Sequence, residues 1–167
     1  MKGLRSEPLA SSHDRSSFQC GVAALDDYLV RQASQDVRRR VAAVFVMVRD
    51  ELPNRVIGYY TLSSFAIQTI DLPLELTAKL PRYPTTPATL IGRLARATGE
   101  RGLGGLLLAD ALKRIFASTR EVASALVVVD AKGAAAIEFY RKHGFISFKH
   151  TPQKLFLPMQ TIAAAGQ

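Results

Sequence analysis

Four glycines within seven residues, Gly99, Gly102, Gly104 and Gly105, separate a strand-like apolar run from a leucine-rich one. A strand is predicted over Ala88–Ala95, and Leu106-Leu107-Leu108-Ala109-Asp110-Ala111-Leu112 is predicted to run into a helix. Glycines at a helix start let backbone N–H groups approach an anion closely. The helix dipole, worth about half a positive charge at that end, favours phosphate there. The turn is therefore a candidate site for a phosphate-bearing cofactor.

Three phosphate loops compete for it. A Walker loop ends in Gly-Lys-Ser/Thr, whereas Gly104 and Gly105 lead straight into leucine, which argues against nucleoside triphosphate hydrolysis. The dinucleotide fingerprint needs glycine at its sixth position, which is Leu107 when counted from Gly102, and it belongs near the first strand rather than past mid-chain. The pyrophosphate loop of acyl-CoA-dependent transferases fits the position, the arginine (Arg101) and the long helix behind it. A tight strand–helix turn that binds nothing is the remaining alternative at this point.

The chain has 167 residues, which predicts a single domain over residues 1–167 with a substantial core. No apolar stretch reaches the roughly 20 residues that cross a bilayer, and no signal-peptide hydrophobic region opens the sequence, so a cytoplasmic protein with no membrane partner is expected. Cys20 is the single cysteine, and with three scattered histidines it makes no metal-site spacing, so no metal is expected. The net charge of +8 and a pI near 10.0 raise the case for a polyanionic partner. Composition does not separate DNA, RNA and acidic protein, and solvated arginines account for the charge equally well.

The elements that must position the turn follow from periodicity. Met1–Pro8 reads as a short first strand or lead-in, and Ser11–Asp14 as a turn. Gly21–Arg40 reads as a helix with a break near Ala33–Asp36, and Arg38, Arg39 and Arg40 suit its C-terminal dipole. Val41–Arg49 and Arg55–Ile67 read as an antiparallel hairpin. Asp71–Pro87 holds four prolines and reads as a crossover with one short helix near Leu74–Leu80. Ala123–Asp130 is a buried central strand, Ala134–His143 a short helix closed by Gly144, and Phe145–Lys149 and Lys154–Leu157 the last strands.

Strand, Gly102-x-Gly104 turn, long helix, apolar strand, short helix and then Phe139-Tyr140-Arg141-Lys142-His143-Gly144-Phe145 come in an order that resembles the GNAT N-acetyltransferase superfamily. The resemblance narrows to the GNAT toxins of bacterial toxin–antitoxin modules. Ile91-Gly92-Arg93-Leu94-Ala95-Arg96, Leu106–Leu112, Val128-Val129-Asp130-Ala131-Lys132, Leu155-Phe156-Leu157-Pro158-Met159 and Cys20-Gly21-x-x-x-Leu25-Asp26-x-Tyr28-Leu29 carry it. It implies an α/β (α+β) fold: one GNAT domain with a mixed, mostly antiparallel, splayed sheet of about six to seven strands and about four helices. It also implies a toxin that acetylates the α-amino group of aminoacyl-tRNA from acetyl-CoA, neutralised by a ribbon-helix-helix antitoxin. Operator DNA is then met only through that antitoxin, and the resemblance suggests a homodimer.

In that reading, acetyl-CoA lies on Leu94, Ala95 and Arg96 of the strand edge, on Arg101, and on Gly102, Leu103, Gly104, Gly105 and Leu106 of the turn, with Phe139 beside it. Pyrophosphate sits on the amides of Leu103–Leu106, and an amide near Leu94–Ala95 stabilises the oxyanion. Tyr140, with a reference pKa of about 10, stays protonated at neutral pH and can donate to the leaving thiolate. Arg38, Arg39, Arg40, Arg82 and Arg93 are candidate tRNA phosphate contacts. Two departures stand out: Gly99 falls where the family has Gln or Arg, and Gly133 falls where it often has asparagine. An acetyltransferase of protein or small-molecule amines is an alternative, as is a non-catalytic binding module on the same fold.

Overall fold

The computed structural model describes residues 2–166. Its seven strands are β1 (Leu4–Pro8), β2 (Ala43–Arg49), β3 (Gly58–Gln68), β4 (Thr85–Arg96), β5 (Leu126–Asp130), β6 (Ile146–Phe148) and β7 (Thr151–Pro158), in the sheet order β1-β2-β3-β4-β5-β7-β6. The helices are α1 (Ala23–Asp27), α2 (Ala33–Arg38), α3 (Leu74–Thr77), α4 (Leu103–Ser118), α5 (Ala134–Lys142) and α6 (Met159–Ala165). The expected mixed α/β class holds; α6, absent from the sequence reading, raises the helix count above four. Two compact units share these elements: one takes the chain to Ser63 plus Gly92–Ala111, the other Ser64–Ile91 plus the chain from Leu112 onward.

In the first unit β1, β2 and β3 pair antiparallel, with Leu4 opposite Arg49 and Ala43 opposite Leu62, so the expected hairpin is present. Val44, Val46 and Val48 alternate along β2 into one core with Leu29, Ala33 and Tyr59. The expected helical segment is irregular earlier than the sequence indicated. A π turn over Tyr28–Gln32 joins α1 to α2, whereas Ala33–Asp36 is regular helix. The cause is tertiary: with Ala33 N–H donating to Tyr28 O, the Leu29 carbonyl loses its helical donor, and Arg15 Nη1 fills the place at 3.3 Å while also donating to Ser34 Oγ at 2.6 Å.

In the second unit β5 pairs in parallel with β4 over Ala88–Ile91 and antiparallel with β7. Leu126, Val127, Val128 and Val129 are all fully buried, as an unbroken apolar run in a central strand requires. The crossover carries a 3-10 turn over Thr69–Asp71 and then α3. β4 starts at Thr85, earlier than the predicted Ala88, and takes in Pro87, whose carbonyl accepts the Ala125 N–H at 2.9 Å. That bond needs no N–H from proline, which is why the ring is tolerated there. Among the described residues no helix is long and apolar enough to cross a membrane.

Candidate active site

β4 ends at Arg96 and α4 begins at Leu103, so Gly104 and Gly105 belong to the first turn of the helix rather than to the loop before it. The helix starts before the predicted Leu106 because glycine is a turn signal in sequence but is accepted here in the first helical turn; Leu103, 3% exposed, anchors that start in the core. The left-handed positions are Gly99 (φ +91°) and Gly102 (φ +76°), the latter directly before the helix. Helical geometry leaves the first amides without a carbonyl four residues back. Leu106 is the first that can reach one, at Gly102, so its amide joins the helix ladder. Leu103 N–H already points at the Glu100 carbonyl at 3.3 Å, so the amides that helical geometry keeps out of the ladder and that remain for a ligand are those of the glycines, Gly102, Gly104 and Gly105.

The loop itself is tied down. Ala97 N–H donates to Ile57 O and Thr98 N–H to Gln19 O, both at 2.8 Å. Glu100 accepts from Arg49 Nη2 through its carboxylate at 2.5 Å and from Arg96 Nη1 through its carbonyl at 3.1 Å. Beside the loop is a cavity of about 470 Å³ bordered by Leu94, Ala95, Arg96 and Arg101, four of the expected cofactor residues, and by Cys20, Val22 and Leu25. Its cationic rim and its apolar wall suit a ligand that is anionic at one end and apolar along its length. The Cys20–Leu25 wall was not assigned to the site from sequence, although the Cys20-Gly21-x-x-x-Leu25 similarity was a signal for it. Burial, reinforced by Asp26, pushes the Cys20 thiol up to about 11, so it forms part of the wall as a neutral thiol rather than acting as a nucleophile.

The candidate phosphate-binding arginines fall in different settings. Arg38, Arg39 and Arg40 are exposed at the end of α2, and Arg40 itself takes a left-handed conformation, φ +58°. Arg93 is held inside its unit: its guanidinium lies 3.6 Å from the centroid of the Tyr28 ring, and Tyr28 Oη donates to Asp36 at 2.7 Å. Arg82 is exposed on the crossover of the second unit, where it lines a different cavity.

Tyr140 lies in the last turn of α5 and is 8% exposed. The end of this helix is a Schellman cap: Phe145 N–H donates to Tyr140 O at 3.1 Å and Gly144 N–H to Arg141 O at 3.0 Å, with Gly144 at φ +92°. The hydrophobic contact that accompanies such a cap is here the Tyr140–Phe145 ring pair, 5.3 Å between centroids. Phe139 packs edge-on to Tyr140, 5.1 Å between centroids. Burial alone raises the Tyr140 phenol to about 12, so it is protonated throughout the physiological range. His143 is spent on the cap, donating from Nδ1 to the Phe139 carbonyl at 2.8 Å.

A tRNA-acetylating toxin of Mycobacterium tuberculosis is 31% identical to the chain over 158 residues, 93% of this chain and 92% of that one. The chain belongs to the GNAT toxin family. No family model matches it. Among solved structures, AtaT complexed with acetyl-methionyl-tRNAfMet superposes with a TM-score of 0.90 at 26% identity, over 98% of this chain and 99% of that one. AtaTR bound with AcCoA gives 0.85 at 26% identity, with both chains fully covered.

This GNAT toxin departs from the family pattern at Gly133 for a backbone reason. Gly133 caps α5 at φ +98° and ψ +162°, a conformation essentially reserved for glycine, so asparagine does not fit this loop as it is built. Among its described residues, no group of three or more His, Cys, Asp or Glu is placed to hold a metal ion.

Proposed function

We propose that this chain transfers the acetyl group of acetyl-CoA to the α-amino group of aminoacyl-tRNA and so arrests translation. The observation that carries the reading is the start of α4: glycines at 102, 104 and 105 around its first turn, with Arg96 and Arg101 bordering the cavity beside it. This donor set suits a pyrophosphate, and the Leu94–Arg96 stretch suits the extended pantetheine arm as an added strand. With Gly99 in place of Gln or Arg, backbone amides and Arg101 carry the phosphate contacts. Leu106 drops out as an amide donor.

Acetyl-CoA supplies the activated thioester; the chain supplies position and polarity. An amide near Leu94–Ala95 is assigned to the developing oxyanion. The acceptor amine titrates near 8 in the reference scale, so a reactive neutral fraction exists at pH 7 without a dedicated base. Tyr140, protonated and fixed by its cap, is assigned the proton for the departing thiolate. Arg38–Arg40 are assigned to RNA phosphates; Arg93, stacked on Tyr28, is better spent on holding α1 and α2 to β4. A ribbon-helix-helix antitoxin as the neutralising partner, operator DNA reached through it, and a homodimer complete the proposal.

The test is transfer of labelled acetyl-CoA to charged and to deacylated tRNA. Label is expected on the charged pool alone; equal labelling of both, or labelling of neither, overturns the reading.

A further inference from the structure

Gly99 and Arg101 border the cavity of about 470 Å³ beside the cofactor turn, and Glu100 between them does not. Its side chain turns the other way, into a small cavity lined by Arg49, Leu52, Arg55 and Ile57. There Arg49 Nη2 donates to Glu100 Oε2 at 2.5 Å. Glu100 is the only acid in the whole stretch from Ala88 to Ala109, which holds β4, the turn and the start of α4. A carboxylate two residues before Gly102 is the wrong charge for a phosphate cradle at a helix N-terminus.

The same carboxylate also threatens the cations of the site. Arg96 Nη1 already sits on the Glu100 carbonyl at 3.1 Å, and Arg101 is the next residue in the chain. These are the two cations that border the larger cavity. If Glu100 were released, an ion pair with either would spend on the protein a charge that the phosphates need. Arg49 is held where it prevents this. It stands opposite Leu4 in the β1–β2 register, and its carbonyl accepts the Leu52 N–H at 3.0 Å. The neighbouring acid, Asp50, has a cation of its own in Arg5 at 3.3 Å.

We propose that Arg49 is a positioning residue for the cofactor, one that holds the Glu100 carboxylate out of the acetyl-CoA cavity and so keeps Arg96 and Arg101 available to the pyrophosphate. The inference rests on the cofactor site of the functional reading. Arg49 does not border that cavity and acts through Glu100.

The test is acetyl-CoA binding to the full chain by titration calorimetry, at about 50 mM and about 500 mM salt. Relative to wild type at the same salt, Arg49→Met should weaken binding about 10-fold at low salt and about 3-fold or less at high salt, where charge effects are screened. Glu100→Gln leaves no carboxylate to restrain, so it should bind as tightly as wild type or tighter. Arg49→Met combined with Glu100→Gln should return to within about 3-fold of wild type, and so should Arg49→Lys, which keeps a cation for Glu100. Arg55→Met removes a cation from the same small cavity without releasing Glu100, and should stay within about 2-fold. Circular dichroism melts check that each variant remains folded.

Weaker binding in Glu100→Gln, or no recovery in the double variant, would make the pair a tie of the loop and overturn the proposal. So would a loss in Arg49→Met that salt does not relieve, or an equal loss in Arg55→Met. A wild type that binds no acetyl-CoA overturns the cofactor site itself. Normal wild-type binding that Arg49→Met leaves unchanged overturns this proposal alone.

Discussion

Gly102→Ala isolates what the turn contributes. A Cβ built at Gly102 meets no atom within 4 Å, so the substitution introduces no clash, and its cost is that of an L-residue at φ +76°. That cost is about 1–2 kcal/mol for a left-handed alanine. Unfolding entropy of about 2.1 cal/mol/K per residue over 167 residues turns it into a Tm loss of about 3–6 °C. Relief of the strain rotates the peptide leading into Leu103 and swings the Gly104 and Gly105 amides off their aim. Losing one charge-assisted bond to phosphate, about 1.5–3 kcal/mol, weakens acetyl-CoA binding by about 10- to 100-fold. The chain has no tryptophan, so titration calorimetry is the binding assay and differential scanning calorimetry the stability assay. Gly102→Asn should lose less on both measures, because asparagine tolerates the left-handed region. Gly104→Ala, at a helical position, should keep Tm while a Cβ blocks close approach to the phosphate. Unchanged Tm and affinity in Gly102→Ala, or a larger loss in Gly102→Asn, would refute the reasoning.

Other expectations concern the chemistry and the partner. Tyr140→Phe should lower acetyl transfer by about 100-fold or more with acetyl-CoA affinity kept, measured by single-turnover labelling and calorimetry. The phenol of Tyr140, raised to about 12 by burial, stays protonated, so the rate should climb through the amine titration near pH 8 and show no fall up to pH 9.5. A descending limb near pH 9 would contradict that. The same shift makes the folded state hold this proton more tightly, so its contribution to stability is complete below pH 10 and is lost as pH rises toward 12. Gly133→Asn should cost about 1–3 kcal/mol in a thermal melt, since its φ and ψ suit glycine alone. Replacing Arg38, Arg39 and Arg40 by glutamate should flatten the salt dependence of tRNA binding by about 2–3 in log–log slope, followed by filter binding.

Signals confined to a few neighbouring residues were legible, and those completed by distant ones were not. The β2–β3 hairpin and the fully buried Leu126–Val129 strand follow from local apolar periodicity alone. The π turn over Tyr28–Gln32 does not, because Arg15, far back in the chain, supplies the bond that lets the helix widen. Arg93 stacks on Tyr28, and no local pattern in either segment says that the two meet. The Cys20–Leu25 wall is likewise built by folding: its residues are about seventy positions from the strand whose cavity they border.

The Phe139–Phe145 signature shows why a motif can be readable before its reason is. Its spacing is that of a helix C-cap: Tyr140 three residues before the cap residue His143, Gly144 left-handed after it, and Phe145 folding back onto the Tyr140 ring. The tyrosine proposed for chemistry is thus also the residue whose carbonyl and ring close the helix. Removing only its hydroxyl leaves the carbonyl, the ring pair and the buried volume in place, so Tyr140→Phe reads the proton-donor role by itself. Tyr140→Ala removes the ring pair as well, and its loss of activity would say nothing about the proton. Activity retained in Tyr140→Phe but lost in Tyr140→Ala would assign the motif to the cap alone and move the proton for the thiolate to another donor.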